Sequence, residues 1–166
     1  MENILTERCA LTRLCETDIE ELTKLYANEK VRKYLGGTLS ADKAAERLLA
    51  SIDAADEYNF VIKLSATCDV IGLLTVAPHH DTKDMEISYM ILPEHWVKGY
   101  ATETIKALLD FCKNELILTR IVSETQTANK SSCQLLKKLG YKVERELWRF
   151  GARQALYVLE LKRFLQ

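Results

Sequence analysis

Glu86 and Ser88 stand two residues apart in Met85-Glu86-Ile87-Ser88-Tyr89-Met90-Ile91-Leu92, a run that alternates at first and then becomes wholly apolar. That is the pattern of a strand passing from half-buried to buried. Residues two apart on a strand share a face, so a carboxylate and a hydroxyl project together. Pro93 ends the ladder. From Ala101 the apolar positions Ala101, Ile105, Leu108, Leu109 and Cys112 follow helical spacing, with Glu103 complementing the dipole of the first turn. The turn between strand and helix is therefore a helix N-terminus, where backbone N–H groups lack intrahelical partners and the macrodipole places roughly half a positive charge. Such a turn suits an anion. Lys98 adds a cation there, and Gly99 removes a side chain where a phosphate would approach the backbone.

Trp96-Val97-Lys98-Gly99-Tyr100-Ala101 resembles the acyl-CoA signature of the GCN5-related N-acetyltransferases (GNAT), Q/R-x-x-G-x-G/A. The following Thr102-Glu103-Thr104 is similar to the continuation in the branch that acetylates the N-termini of ribosomal proteins. Trp96 stands where the pattern has Gln or Arg, and Val97 where many members have Gly. A β-branched residue suits positive φ poorly, so either Val97 is not left-handed or the loop is distorted. The string Asn129-Lys130-Ser131-Ser132-Cys133-Gln134-Leu135-Leu136-Lys137-Lys138-Leu139-Gly140-Tyr141 resembles a second family motif, N-x-x-S-x-x-L-x-x-x-G-F/Y. Two motifs in order, about thirty residues apart, weigh more than either alone.

The resemblance implies an α/β chain with the GNAT-like acyl-CoA N-acyltransferase fold, a mixed central sheet flanked by helices, as one domain over residues 1–166. It implies acetyl-CoA as co-substrate, with the pyrophosphate at Lys98, Gly99, Tyr100, Ala101 and Thr102 and the pantetheine along Ile91 and Leu92. Asn129 would contact the cofactor or cap its helix. Glu86 is implied as the base, acting through a water chain; its bland alternative is a surface carboxylate at a sheet edge. Many members protonate the departing thiolate with a Tyr, but Leu136 aligns with that position, and Ser132 is the substitute the ribosomal-protein branch suggests. Ser132 packed against its own helix backbone is the alternative. The implied activity is direct transfer of an acetyl group to a primary amine, either a protein N-terminal α-amine or a small molecule. That acceptor is the implied partner, and homodimer assembly is left open. A second class is a binding module, the same fold keeping acyl-CoA without turnover as a sensor or subunit. A nucleotide-phosphate binder is disfavoured, because neither G-x-x-x-x-G-K-[ST] nor G-x-G-x-x-G occurs.

Composition narrows the partners. With 23 basic and 24 acidic residues the formal net charge is −1, so no global field draws the chain to nucleic acid or an anionic membrane. No apolar run approaches the ~18 residues of a membrane span, and Met1 to Arg8 lack a signal-peptide core. The five cysteines are scattered without a C-x-x-C pair, which suggests reduced, buried thiols in a cytoplasmic protein. His79-His80-Asp81 has metal-ligand residue types, but Pro78, Asp81, Thr82, Lys83 and Asp84 describe a solvated polar loop, and no metal is expected.

The elements that must position these groups follow from periodicity. Strands are expected over residues 8–14, 58–64 and 70–77, the last two a hairpin through 65–69. Gly72 marks a close approach or a bulge. A helix capped by Thr17-Asp18 and a second from Ser40 to about residue 55 flank Gly36-Gly37, and in the resembling family these two helices wall the acceptor site. A helix over 101–115, a strand within 117–125 and a helix from Asn129 ended by Gly140 come next. Two final strands, 141–150 and 155–162, join through Gly151-Ala152-Arg153-Gln154.

Overall fold

Alternate residues of the central strands feed two separate apolar clusters, so the sheet is covered on both sides. In the computed structural model, which describes residues 3–81 and 83–161, the elements run β1 (Ile4–Leu5), β2 (Cys9–Arg13), α1 (Ile19–Ala27), α2 (Glu29–Arg32), α3 (Ala41–Ile52), β3 (Tyr58–Leu64), β4 (Val70–Pro78), β5 (Met85–Ile91), α4 (Tyr100–Asn114), β6 (Arg120–Gln126), α5 (Lys130–Lys138), β7 (Lys142–Arg149) and β8 (Ala152–Glu160). Short 3₁₀ turns, Glu16–Asp18 and Pro93–His95, precede α1 and α4. Phe60 and Ile62 of β3 pack with Ile105 and Leu108 of α4 and Leu136 of α5, whereas Val61, between them, packs with Leu22 and Leu25 of α1 and Leu48 of α3. Thus α4 and α5 cover one face and α1 and α3 the other. Sheet order is β1-β2-β3-β4-β5-β6-β8-β7, a mixed sheet in which β5 and β6 are parallel and the other described neighbours antiparallel.

Several expectations meet a more specific reality. A Cβ on Gly72 would lie 2.4 Å from the Met90 carbonyl oxygen, and the β3–β4 register shifts opposite it, between Ile62 and Lys63, so close approach and bulge coincide. Asp18 occupies the cap position of α1 without capping it. Its carboxylate instead accepts from the Cys15 N–H and pairs with Lys63 Nζ at 2.7 Å. The last hairpin turns in two residues, Phe150 and Gly151, both at positive φ (53° and 72°), rather than in the four expected. Burial of the thiols holds for Cys9 and Cys112 and fails for Cys15 and Cys68, which are exposed; all five are free. Thr82 of the expected polar loop, Lys162 at the end of the expected last strand, and Met1 and Glu2 lie outside the described residues. Among the described residues no helix is long and apolar enough to cross a membrane.

Candidate active site

The parallel pairing of β5 with β6 is brief: only Met85 with Ile121 and Glu86 with Val122. Ser123 then closes the contact, its buried Oγ–H donating to the Ile87 carbonyl at 2.9 Å, and beyond it the strands part. Successive residues of a strand direct their backbone groups to opposite neighbours. Ile87 faces β6, and the Leu92 N–H donates to Ile71 O on the β4 side at 2.9 Å, so Tyr89 and Ile91 face the gap. The Ile91 carbonyl is taken by the Trp96 indole N–H at 2.7 Å, leaving its N–H toward the gap. Leu92 therefore flanks the opening with its own N–H already spent.

The gap leads to the start of α4. Val97, fully exposed, has φ 58°, and Gly99, which precedes the helix, has φ 85°. Val97 is thus left-handed, at a cost of roughly 1–2 kcal/mol for an L-residue. Gly99 meets the same requirement without that cost. The first bond into the helix is Glu103 N–H to Gly99 O at 3.0 Å, so the N–H groups of Tyr100, Ala101 and Thr102 stand ahead of the ladder. Glu103 fastens this turn to the β1–β2 hairpin: its carboxylate accepts from Thr6 Oγ1 (2.7 Å), the Arg8 N–H (2.8 Å) and Arg8 Nε (2.7 Å). Burial pushes the Glu103 carboxyl up, and those hydrogen bonds with the Arg8 charge outweigh it, holding the group below the ordinary carboxylate range. Arg8 Nη1 also donates to Lys98 O at 2.9 Å, and its guanidinium lies 4.4 Å over the Tyr100 ring.

Glu86 and Ser132 approach the gap from different elements. Glu86 Oε1 accepts from the Glu124 backbone N–H at 3.0 Å, and burial raises its pKa against that hydrogen bond. Asn129 is the N-cap of α5, its Oδ1 accepting from the Ser132 N–H at 3.2 Å. Ser132 is buried, with Oγ 2.5 Å from the Tyr89 hydroxyl. A phenol thus stands at Ser132 although Leu136 aligns with the family's tyrosine, because Tyr89 comes across from β5. Burial pushes the Tyr89 pKa up to about 12. Nothing local in the sequence joins residues 43 positions apart.

His79 overturns the solvated-loop expectation. It is 2% exposed; Asp81 N–H donates to its Nδ1 (3.3 Å), which leaves the ring proton on Nε2, 2.9 Å from Glu124 Oε2. Arg149 Nε donates to Glu124 Oε1 at 2.7 Å and its Nη1 pairs with Asp81. His79, His80 and Glu124 bring potential metal-ligand atoms within 4.8 Å of one another. However, His79 and Glu124 are engaged in this ion-paired network, and the adjoining guanidinium opposes a further cation.

On the α1–α3 face of the gap lies a cavity of about 510 Å³, lined among others by Tyr26, Arg32, Arg47, Ser88 and Tyr89. Its floor includes a cross-strand row, Asn59, Thr75 and Ser88, in which Thr75 Oγ1 donates to Asn59 Oδ1 at 2.7 Å. Gln126 Nε2 donates to Tyr34 O at 3.2 Å and ties the end of β6 to the loop before α3.

This chain is similar to known proteins in sequence and in fold. The acetyltransferase (GNAT) domain matches residues 8–142. The uncharacterized N-acetyltransferase YoaA of Bacillus subtilis (strain 168) is 30% identical over 149 residues, 84% of this chain and 82% of that protein. The spermidine N-acetyltransferase of Vibrio cholerae, solved with CoA and spermine, superposes with TM-score 0.80 at 22% identity, over 92% of this chain and 95% of that one. The Salmonella typhimurium acetyltransferase that modifies the N-terminal serine of ribosomal protein L7/L12 superposes with TM-score 0.82 at 16% identity, over 96% and 99%. The domain match over most of the length, together with the splayed strand and the turn it leads into, means that this chain belongs to the GNAT family of N-acetyltransferases.

Proposed function

We propose that the chain moves an acetyl group from acetyl-CoA to a primary amine by direct attack of the amine on the thioester. The carrying observation is that the β5–β6 gap runs from Glu86 to the N-terminus of α4. The pyrophosphate would meet the N–H groups from Gly99 to Thr102, with the Lys98 cation beside them. The pantetheine would add to β5 along the gap-facing groups of Tyr89 and Ile91, past Leu92, and the Ile91 N–H would polarise the thioester carbonyl. Glu86 would take the proton of the attacking amine. As the N–C bond forms and the C–S bond breaks, Ser132, hydrogen-bonded to Tyr89, would donate to the sulfur. Asn129 would act through its cap, which fixes Ser132. The Vibrio and Salmonella proteins, which act on spermidine and on a protein N-terminus, mark the range of amines this fold serves.

Calorimetric titration of CoA into wild type and Gly99→Asp tests the binding site. The substitution sets a carboxylate against the pyrophosphate and a Cβ 3.2 Å from Arg8 Nη2. Loss of CoA binding by a folded variant is expected, and unchanged affinity overturns the placement. An acceptor screen read by mass spectrometry then identifies the product.

A further inference from the structure

Arg32, at the end of α2, is a buried cation without a carboxylate partner among the described residues. It is 7% exposed and lines the cavity on the α1–α3 face. Its Nε donates to Gly37 O at 2.8 Å, its Nη2 to Leu35 O, and its Nη1 reaches the Met90 sulfur at 4.0 Å. Two carbonyls fix the plane of the guanidinium, and its charge meets only neutral groups: those carbonyls, the Met90 sulfur and the Tyr26 ring. Arg47 of α3 lines the same cavity, and the Arg32 and Arg47 guanidiniums lie 5.4 and 6.0 Å from the centroid of the same Tyr26 ring. Among the described residues neither arginine pairs with a carboxylate. Glu57 is the one acidic residue among those lining the cavity, and its Oε2 already accepts from Asn59 Nδ2 at 3.2 Å. Burial, and then the neighbouring Arg47, lower the Arg32 pKa, as expected of a cation lacking its counter-charge.

Buried charges are ordinarily paired, and where the protein supplies no partner a ligand does. We infer that this cavity takes a primary amine that also carries a carboxylate, with Arg32 and Arg47 holding that carboxylate while the amine reaches Ser88 and the thioester. The inference rests on the transferase reading above and names its acceptor class. A polyamine would bring further positive charge to two unpaired guanidiniums and is disfavoured. Asn59, Thr75 and Ser88 give the cavity floor a neutral hydrogen-bonding strip, suited to the uncharged part of such a molecule. The carboxylate belongs either to a small amino-acid-like molecule or to the acidic N-terminus of a polypeptide.

The test is thiol release at saturating acetyl-CoA with acceptors matched in their α-amine. One pair is glycylglycine and glycylglycinamide; the other is an amidated hexapeptide beginning Ser-Asp-Glu and its counterpart beginning Ser-Asn-Gln; spermidine is the cationic probe. Wild type is expected to favour the anionic member of at least one pair by about tenfold or more in kcat/KM, the range of one charge-assisted hydrogen bond, with spermidine the poorest acceptor. Selectivity confined to the dipeptides assigns the carboxylate to a small molecule, and selectivity in the hexapeptides to a polypeptide. Arg32→Gln risks the fold by releasing Leu35 O and Gly37 O, so Arg47→Gln carries the mutational arm, and its anionic-to-neutral ratio should fall toward one. Equal kcat/KM within both pairs, or preference for spermidine, overturns this inference and leaves the transferase reading standing. Failure of every amine to release thiol from a protein that binds CoA overturns both.

Discussion

Gly72→Ala should damage stability and turnover together, because β4 approaches β5 there more closely than any side chain permits. The new Cβ would stand 2.4 Å from the Met90 carbonyl oxygen, 3.0 Å from Ile62 Cδ1 and 3.1 Å from Ile91 Cγ1. Reaching even 3.0 Å from a backbone oxygen requires the strands to part by 3.0 − 2.4, or 0.6 Å. Overpacking of this kind costs about 1–3 kcal/mol. For a chain of 166 residues each kcal/mol lowers Tm by roughly 2–4 °C, so the expected loss is about 2–12 °C. Met90 sits between Tyr89 and Ile91, whose backbone groups face the gap, so the same displacement moves the surface on which the thioester would lie. A misplacement approaching 1 Å costs up to about a hundredfold in rate, and about tenfold in kcat is expected here. Thermal unfolding followed by steady-state thiol release reads both quantities. A Tm within 1 °C of wild type, on the scale of roughly 2–4 °C per kcal/mol, would refute the close-approach argument. A lowered Tm with unchanged kcat would refute the link from β4 to the gap.

Other perturbations separate the proposed roles. Ser132→Ala should lower kcat by about a hundredfold, with CoA affinity by calorimetry changed far less; Tyr89→Phe should do the same through Ser132, and a double-mutant cycle should show the two effects to be non-additive. Equal kcat in Ser132→Ala and wild type would reduce that hydroxyl to packing. Glu86→Gln should depress kcat/KM most near neutrality, with the deficit closing as pH rises to the acceptor's own pKa, and parallel profiles from about pH 6 to 10 would remove Glu86 as base. The same variant has a stability signature of definite sign. Because burial raises the folded pKa of Glu86 above its unfolded value, ionisation weakens the fold as pH rises through that window. Glu86→Gln should therefore be the more stable protein at neutral pH, by denaturant titration, and lose that advantage in acid below about pH 4.

Local signals carried part of this architecture. The alternation of 85–92, the helical spacing from Ala101 and the cap at Asn129 each lie within a few residues, where period and cap chemistry are written directly into the chain. Gly72 was legible because a lone glycine in an apolar strand has few reasons to be there. The pairings that make the site were not. His79 reads as loop because Asp81, Lys83 and Asp84 surround it, yet it is buried by a partner on β6, 45 positions away. Tyr89 reads as one more apolar strand residue, and only the packing of α5 against β5 brings its hydroxyl to Ser132. Arg32 lies in a four-residue helix too short for periodicity to register. At Val97 the sequence posed a conflict between side chain and backbone, and the exposed loop resolves it by accepting the left-handed conformation.

The tie between Glu103 and the first hairpin joins the fate of two segments more than ninety positions apart. Strands at the edge of a sheet ordinarily open at little free-energy cost, and β1 is such an edge. Here fraying of β1 and β2 must release Thr6 and Arg8 from Glu103, and Arg8 from Lys98, so each such opening also loosens the turn that starts α4. A ligand that orders that turn would suppress the opening by mass action, and the Arg8 amide, which donates to Glu103 at 2.8 Å, would exchange its hydrogen with solvent more slowly as the turn fills. Occupancy of a helix end would thereby be reported by the protection of an amide near the beginning of the chain.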